Sequence, residues 1–424
     1  MDKRFERYDG LLVVLFTLLL LLPLGAQILE DSTENGNVLL ENRNLSAVPV
    51  FPKQIDELMA YPGEFDAFFN DNFGLRTPIL SVAHSLKLAT QVPLYSSTLS
   101  GKKGWFFLRR QSFSENPVVS APLEKHELDE FSARLRRLEV LLNEKGIAFV
   151  HFSAPEKQSI YPEYLPMNVN FSEITPLEQV NAELAKSNAY VNVKSIMLEV
   201  KANHPEQLLY YKIDTHWNCL GAYIAYREVA ERVLGIKGAE TPLVSETDFV
   251  FRDTSNRDKH NPFSLEYWRS SLRKKDTAFE CLLEESPQIE AHLRLGKQNI
   301  PNINGENITP AEALDFPTLI FKDWESTDTR GKAGLKAIVL RDSFASRLVP
   351  YLSRTFSEVL YLHFFRLENN KLKHLIEDFQ PDVLIFEYAE RFLDSPNRNL
   401  MDPIERSLQG ADELSTESPS DLER

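Results

Sequence analysis

Residues 335–388 read LKAIVLRDSFASRLVPYLSRTFSEVLYLHFFRLENNKLKHLIEDFQPDVLIFEY. Three short runs in it, Ala337-Ile338-Val339-Leu340, Val359-Leu360-Tyr361-Leu362 and Val383-Leu384-Ile385-Phe386, have no polar side, the pattern of strands covered on both faces. Between them, residues 344–355 and 368–379 carry helical spacing, the second stretch ending before Pro381. Strands alternating with helices at this interval imply right-handed crossovers and a parallel sheet. The expected fold is therefore α/β, a three-layer sandwich with a mainly parallel sheet. Ligands of such sheets bind beyond the carboxyl ends of the strands. Ser343 directly follows the first strand, and Glu387, Tyr388, Glu390 and Arg391 close the third, so all of them fall on one rim.

Outward from this stretch, Leu128, Phe131, Leu135, Leu138 and Leu142 recur at helical spacing across 123–146, and Gly146 stands where a helix would stop. Ile147 to Phe152 reads as a buried strand that opens the main domain. Gly221 to Val233 reads as a helix. Residues 240–334 are polar and weakly periodic, and are expected to form an insertion or a lid-like excursion. The division expected is a membrane segment at 1–29, a polar linker at 30–60, the main domain at 61–400 and a disordered acidic tail at 401–424.

The 424 residues are enough for a sizeable core, and the net charge of -15 excludes a general nucleic-acid binder, whose affinity rests on cations neutralising phosphates. The two cysteines, Cys219 and Cys281, fit neither a zinc ribbon nor a CxxC redox site; they either pair in an oxidising compartment or stay as buried thiols. At the N-terminus, Lys3, Arg4 and Arg7 precede an apolar run from Leu11 to Ala26. The basic flank and the bulky Leu24 near its end favour an uncleaved signal anchor over a cleaved signal peptide that would leave the protein in the periplasm; in both cases the remaining chain lies outside the cytoplasm.

Two short motifs can carry chemistry. Ser343, in Arg341-Asp342-Ser343-Phe344, sits where a strand meets a helix. Its hydroxyl can stand at the sheet rim as a nucleophile, with helix-start N–H groups nearby for an oxyanion; a serine there also serves as an ordinary helix N-cap. Asp214-Thr215-His216-Trp217 supplies an imidazole to take a serine's proton and a carboxylate to orient it. The plainer alternative is a helix-capping aspartate and a structural histidine. No third metal ligand stands near Asp214 and His216, so no metal is expected there. Tyr210 and Tyr211 could stack on sugar rings or pack in the core. Arg391 could meet a carboxylate or an acetyl carbonyl, or pair with Glu387 or Glu390. Trp105 reads as a packing anchor, and Lys157 follows the 147–152 strand towards the rim.

Further blocks, in chain order, give these motifs a context. They are Glu41-Asn42-Arg43, then Phe65-Asp66-Ala67-Phe68-Phe69-Asn70-Asp71-Asn72-Phe73-Gly74-Leu75-Arg76, Gly101-Lys102-Lys103-Gly104-Trp105-Phe106-Phe107, Ala154-Pro155-Glu156-Lys157 and Tyr161-Pro162. With Asp214-Thr215-His216-Trp217-Asn218 and Arg341-Asp342-Ser343-Phe344, the ordered set resembles the alginate O-acetyltransferase family of the AlgX/AlgJ type over most of residues 40–395. The resemblance implies an SGNH-hydrolase-like (flavodoxin-like) domain. It further implies a catalytic trio in which Asp214 orients, His216 is base then acid, and Ser343 carries an acetyl group. It implies ping-pong transfer to a polysaccharide hydroxyl without metal or organic cofactor. A membrane-bound O-acyltransferase partner would supply acetyl on the periplasmic side of the inner membrane. Arg341 departs from the family's usual glycine before Asp-Ser, though its charge could serve the rim. No Gly-Asp-Leu stretch lies between the His and Ser blocks, and no carbohydrate-binding module is appended.

Two other functions use the same residues differently: an acetylesterase, in which water replaces the sugar hydroxyl, and a non-catalytic polysaccharide-binding or assembly subunit that keeps the fold.

Overall fold

The computed structural model describes residues 10–18, 21–22, 46–76, 79, 82–83, 86, 98–108, 121–167, 169, 174–212, 214–245, 249–253, 279–283, 290–295, 298–300, 324–327 and 333–408. The elements in chain order are α1 (Ile55–Asn72), β1 (Thr98–Ser100), β2 (Phe106–Leu108), α2 (Lys125–Glu144), β3 (Ala148–Ala154), α3 (Lys157–Ile160), α4 (Pro176–Glu183), α5 (Val193–Asn203) and α6 (Cys219–Lys237). Then follow β4 (Phe249–Asp253), β5 (Phe279–Leu283), β6 (Glu290–Leu295), β7 (Gln298–Ile300), β8 (Trp324–Thr327), β9 (Lys336–Arg341), α7 (Val349–Thr355), β10 (Glu358–His363), α8 (Lys371–Phe379), β11 (Val383–Ala389) and α9 (Asp402–Leu408).

The apolar runs of the opening stretch form β9, β10 and β11. With β3 they make the parallel part of a seven-stranded sheet ordered β3-β11-β9-β10-β8-β6-β7. Side chains alternate between the two faces, as strand geometry requires. Ala337, Val339, Val359, Tyr361, Val383 and Ile385 meet α5, α6 and α7, whereas Ile338, Leu340, Leu360, Leu362, Leu384 and Phe386 meet α2, α4, α8 and α9. This is the expected three-layer sandwich. Its strand order is not that of flavodoxin: β11 returns across β9 and sits between β9 and β3, so the earliest parallel strand lies beside the latest.

Several boundaries differ from the sequence reading. Residues 344–355 are not one helix. A 3-10 turn over Phe344–Arg347 precedes α7, whose first turn holds Pro350, a residue suited to a helix start and not to an interior. The assumed linker at 30–60 already contains the first turns of α1. The assumed tail begins with α9, because Ile404 is buried and Asp402 and Glu405 pair with the buried Arg134 at 2.7 and 2.8 Å; residues 409–424 lie outside the described residues. Within 240–334, β6 and β8 are no lid: they extend the sheet antiparallel beyond β10. Gly146, at φ 75°, follows α2 as expected.

Residues 10–18 and 21–22 are helical and exposed, and residues 1–9, 19–20 and 23–45 lie outside the described residues. Among the described residues, no helix is long and apolar enough to cross a membrane. Cys219, at the start of α6, is disulfide-bonded, and the sequence holds one other cysteine, Cys281.

Candidate active site

The parallel strands β3, β9 and β11 end on the same side, and three chain segments leave that rim to build the site. From β9 the chain passes through Asp342 to Ser343. Ser343 stands at the N-cap position of the 3-10 turn, but its side chain makes no capping bond. The hydroxyl is instead 2.8 Å from His216 Nε2. The N-cap alternative for this serine is therefore set aside.

His216 comes from a loop closed by a bridge between Tyr210 and Trp217 and by Asn218 N–H donating to Leu209 O at 2.9 Å. Asn218 then caps α6 by accepting from Gly221 N–H at 3.0 Å. Asp214, 1% exposed, accepts through Oδ1 from His216 Nδ1 at 2.7 Å and from the His216 backbone N–H at 2.9 Å. A carboxylate in this place keeps the proton on Nδ1 and leaves Nε2 as the acceptor for the serine hydroxyl. Asp214, His216 and Ser343, chosen from sequence, thus form one continuous hydrogen-bonded line.

From β3 the chain supplies Lys157. Its buried ammonium donates to the carbonyls of Tyr211, Lys212 and Asp214 at 3.0, 2.8 and 2.6 Å, while Trp105 and Phe107 flank it at 5.6 and 5.3 Å from their ring centres. Lys157 therefore holds the Asp214–His216 loop from inside and is not a rim residue. Trp105 is buried and stacks on Tyr164, the packing role expected of it. A second tie joins the two halves directly: Trp217 Nε1–H donates to Phe344 O at 3.0 Å, and the Phe344 ring lies 4.7 Å from the His216 ring.

The substrate residues expected from sequence fare differently. Tyr210 is 0% exposed and donates to Pro155 O at 2.6 Å, and Tyr211 is 2% exposed; neither buried ring offers a face to a sugar. Arg341 is 1% exposed and donates to Asp342 O at 3.2 Å, so it lies beneath the rim. Arg391 pairs with Glu156, not Glu387 or Glu390: Nη2 donates to Oε2 at 3.2 Å and Nε to Oε1. Its guanidinium lies 5.4 Å from the Phe344 ring centre, and it retains partial side-chain exposure beside the trio.

The sequence reading placed Glu387 and Glu390 at the rim and quoted Asp342 in the serine motif, but gave these acids under the trio no role of their own. Glu390 accepts from Glu156 N–H and Ser159 Oγ, both at 2.8 Å, and burial pushes its carboxyl up to about 7. Asp342 and Glu387 are both buried. Desolvation raises both carboxyls, Glu387 well above the usual range. The available signal was an acid closing an otherwise apolar strand, Val383–Ala389. Among the described residues, no cluster of His, Cys, Asp and Glu is arranged to hold a metal ion, and none accepts from the Ser343 backbone N–H. Phe344 N–H is taken by Asp342 Oδ1 at 2.7 Å, which leaves the Ser343 N–H as a candidate donor to an oxyanion.

Residues 98–279 match the family described as the SGNH hydrolase-like domain, acetyltransferase AlgX. Over those residues the chain is similar to the SGNH hydrolase-like domain of AlgX. The matched span includes Asp214 and His216 and ends before Ser343, which the fold alone brings to them. No curated protein matches the chain. Among solved structures, Bacillus cereus PatB1 is 16% identical with a TM-score of 0.54, covering 70% of this chain and 96% of that one. PatB1 with a sulfonyl adduct, also 16% identical, has a TM-score of 0.52 and covers 70% and 97%. The O-acetyltransferase domain of Pseudomonas putida AlgJ is 16% identical over 76% of this chain and 96% of its own, with a TM-score of 0.39. At these identities the PatB1 likeness establishes the shared fold.

Proposed function

We propose that the protein is an O-acetyltransferase acting on an extracellular or periplasmic polysaccharide through an acetyl-serine intermediate. The observation that carries this reading is the line Asp214 Oδ1, His216 Nδ1, His216 Nε2 and Ser343 Oγ, with spacings of 2.7 and 2.8 Å. The match of residues 98–279 to an acetyltransferase domain supports acetyl as the group carried.

In the first half-reaction, Ser343 Oγ attacks the donor's acetyl carbonyl as His216 Nε2 takes the hydroxyl proton. The oxyanion forms next to the Ser343 N–H, and the imidazolium is balanced by Asp214. His216 then returns the proton to the leaving oxygen, leaving an acetyl ester on Ser343. In the second half-reaction a sugar hydroxyl gives its proton to His216 and attacks that ester, and the proton finally returns to Ser343. No metal or organic cofactor takes part in these steps.

The donor in this account is a membrane-bound O-acyltransferase partner, and the acceptor is the polymer. The protein acts at the periplasmic side of the inner membrane, held there by the apolar segment after Lys3, Arg4 and Arg7. The disulfide at Cys219 supports an oxidising compartment.

Transfer and hydrolysis differ only in what attacks the acetyl-enzyme. The test is turnover of an activated acetyl ester with and without oligosaccharide acceptors, reading the glycan products by mass. Acceptor-dependent acetylated sugar is the expected result. Free acetate alone, at a rate no acceptor changes, would make the protein an esterase.

A further inference from the structure

Beneath Ser343 lies a pair of acids that the proposed mechanism leaves unused. Asp342 and Glu387 are 3% and 0% exposed. Asp342 Oδ1 accepts from Phe344 N–H at 2.7 Å and its Oδ2 from Ala389 N–H at 2.8 Å. Glu387 Oε2 accepts from Asp342 N–H at 3.0 Å. One hydrogen bond thus closes the turn across Ser343, and two tie that turn to the end of β11. Glu387 Oε1 is fully buried and receives no N–H or O–H from the protein. An ionised oxygen in that position would be desolvated without compensation beside a second carboxylate. A proton on Glu387, shared with the adjacent Asp342 carboxylate, removes both costs.

We propose that Asp342 and Glu387 form a proton-sharing clamp that positions the Ser343 turn, with Glu387 holding the proton and Asp342 the charge. The clamp fixes the hydroxyl against His216. By occupying the Phe344 N–H, it also leaves the Ser343 N–H as the donor for the oxyanion. Two cations face the pair. Arg341 on β9 acts on Glu387 and Arg391, beyond β11, acts on Asp342, and each favours the ionised form of the acid it faces. They supply the counter-charge for one carboxylate. The burial of the pair and the mutual repulsion of the acids keep the second one neutral.

This inference rests on Ser343 being the nucleophile, so Ser343→Ala is assayed in parallel on the activated acetyl ester. Glu387→Gln reproduces a protonated glutamate: its oxygen accepts from Asp342 N–H and its amide donates to Asp342. It is expected to keep kcat within about threefold of wild type. Glu387→Leu, of similar size but without polar atoms, is expected to lower kcat at least tenfold with KM within about twofold, the pattern of a displaced reacting group. Melting temperature should fall in the wild type as pH rises above the usual glutamate range, and fall less in Glu387→Gln. A Gln variant as impaired as the Leu variant, or unfolded, would overturn the neutral-acid assignment. A Leu variant with wild-type kcat would overturn the positioning role. If Ser343→Ala retains ester turnover, the failure belongs to the catalytic trio and not to the clamp.

Discussion

Replacing Asp214 by asparagine separates two jobs that a triad carboxylate usually does together. Asp214 Oδ1 accepts from both the His216 ring Nδ1 and the His216 backbone N–H. The backbone donor cannot change its character, so in Asp214→Asn the amide oxygen must occupy the Oδ1 place. The ring N–H therefore keeps its acceptor, and Nε2 still faces Ser343 unprotonated. What disappears is the negative charge opposite the imidazolium of the transition state. For unit charges about 4 Å apart at an effective dielectric near 20, that is about 4 kcal/mol. The expected loss in kcat is thus about 10²- to 10³-fold, with KM little changed. The amide nitrogen replaces Oδ2, a buried atom with no hydrogen-bond partner. An unsatisfied donor there should cost about 1–3 kcal/mol of stability. Asp214→Ala, which removes charge and acceptor together, should be slower still. The assay is steady-state turnover of an activated acetyl ester with thermal melts of each variant. Equal activity of Asp214→Asn and wild type would refute the assignment of Asp214 as counter-charge. Equal impairment of the Asn and Ala variants would refute the argument that the backbone N–H fixes the tautomer.

Three further outcomes follow from the surrounding structure. Lys157→Met keeps the aliphatic stem between Trp105 and Phe107 but abandons three carbonyls. It should destabilise the protein by about 3 kcal/mol or more and lower kcat, measured by denaturant melts and ester turnover. Gly221→Ala would place a Cβ 2.4 Å from Leu209 O and 2.9 Å from Trp217 Cβ. The cost should be about 1–3 kcal/mol, with lowered activity because the displacement reaches the residue next to His216. Glu390 titrates higher when folded, at about 7, than the ordinary 4.5, so its contribution is present below the usual glutamate range and lost as pH rises through about 7. Glu390→Gln should remove up to about 3 kcal/mol of that dependence, seen as a melting-temperature difference from wild type that changes between pH 5 and pH 8.

The parallel core was legible because its strands are buried on both faces, and runs such as Val383–Phe386 leave no other reading. The trio was legible because the motifs lie at a strand end and before a helix. What the sequence could not carry was long-range geometry. Nothing local says that β11 inserts between β3 and β9, and that insertion sets Glu387 under Ser343 and Arg391 beside Phe344. Tyr210 and Tyr211 looked available because they precede the Asp214–His216 loop, but the bridge between Tyr210 and Trp217 turns that loop's base into the core. Lys157 looked like a rim residue because charged side chains are seldom buried. Three carbonyls converging from a loop more than fifty residues away supply the compensation that burial needs. The sheet extension by β6 and β8 was hidden by their polar composition, which suits antiparallel strands near an edge.

The central claim is that Ser343 is the atom on which acetyl rests between donor and acceptor. The direct measurement is intact mass and peptide mapping of the purified protein after brief exposure to an activated acetyl ester. The account predicts one added acetyl group on the peptide containing Ser343, absent in Ser343→Ala and reduced in His216→Ala. A wild-type protein that neither traps acetyl nor turns over the ester, or one acetylated elsewhere with Ser343 untouched, would contradict it.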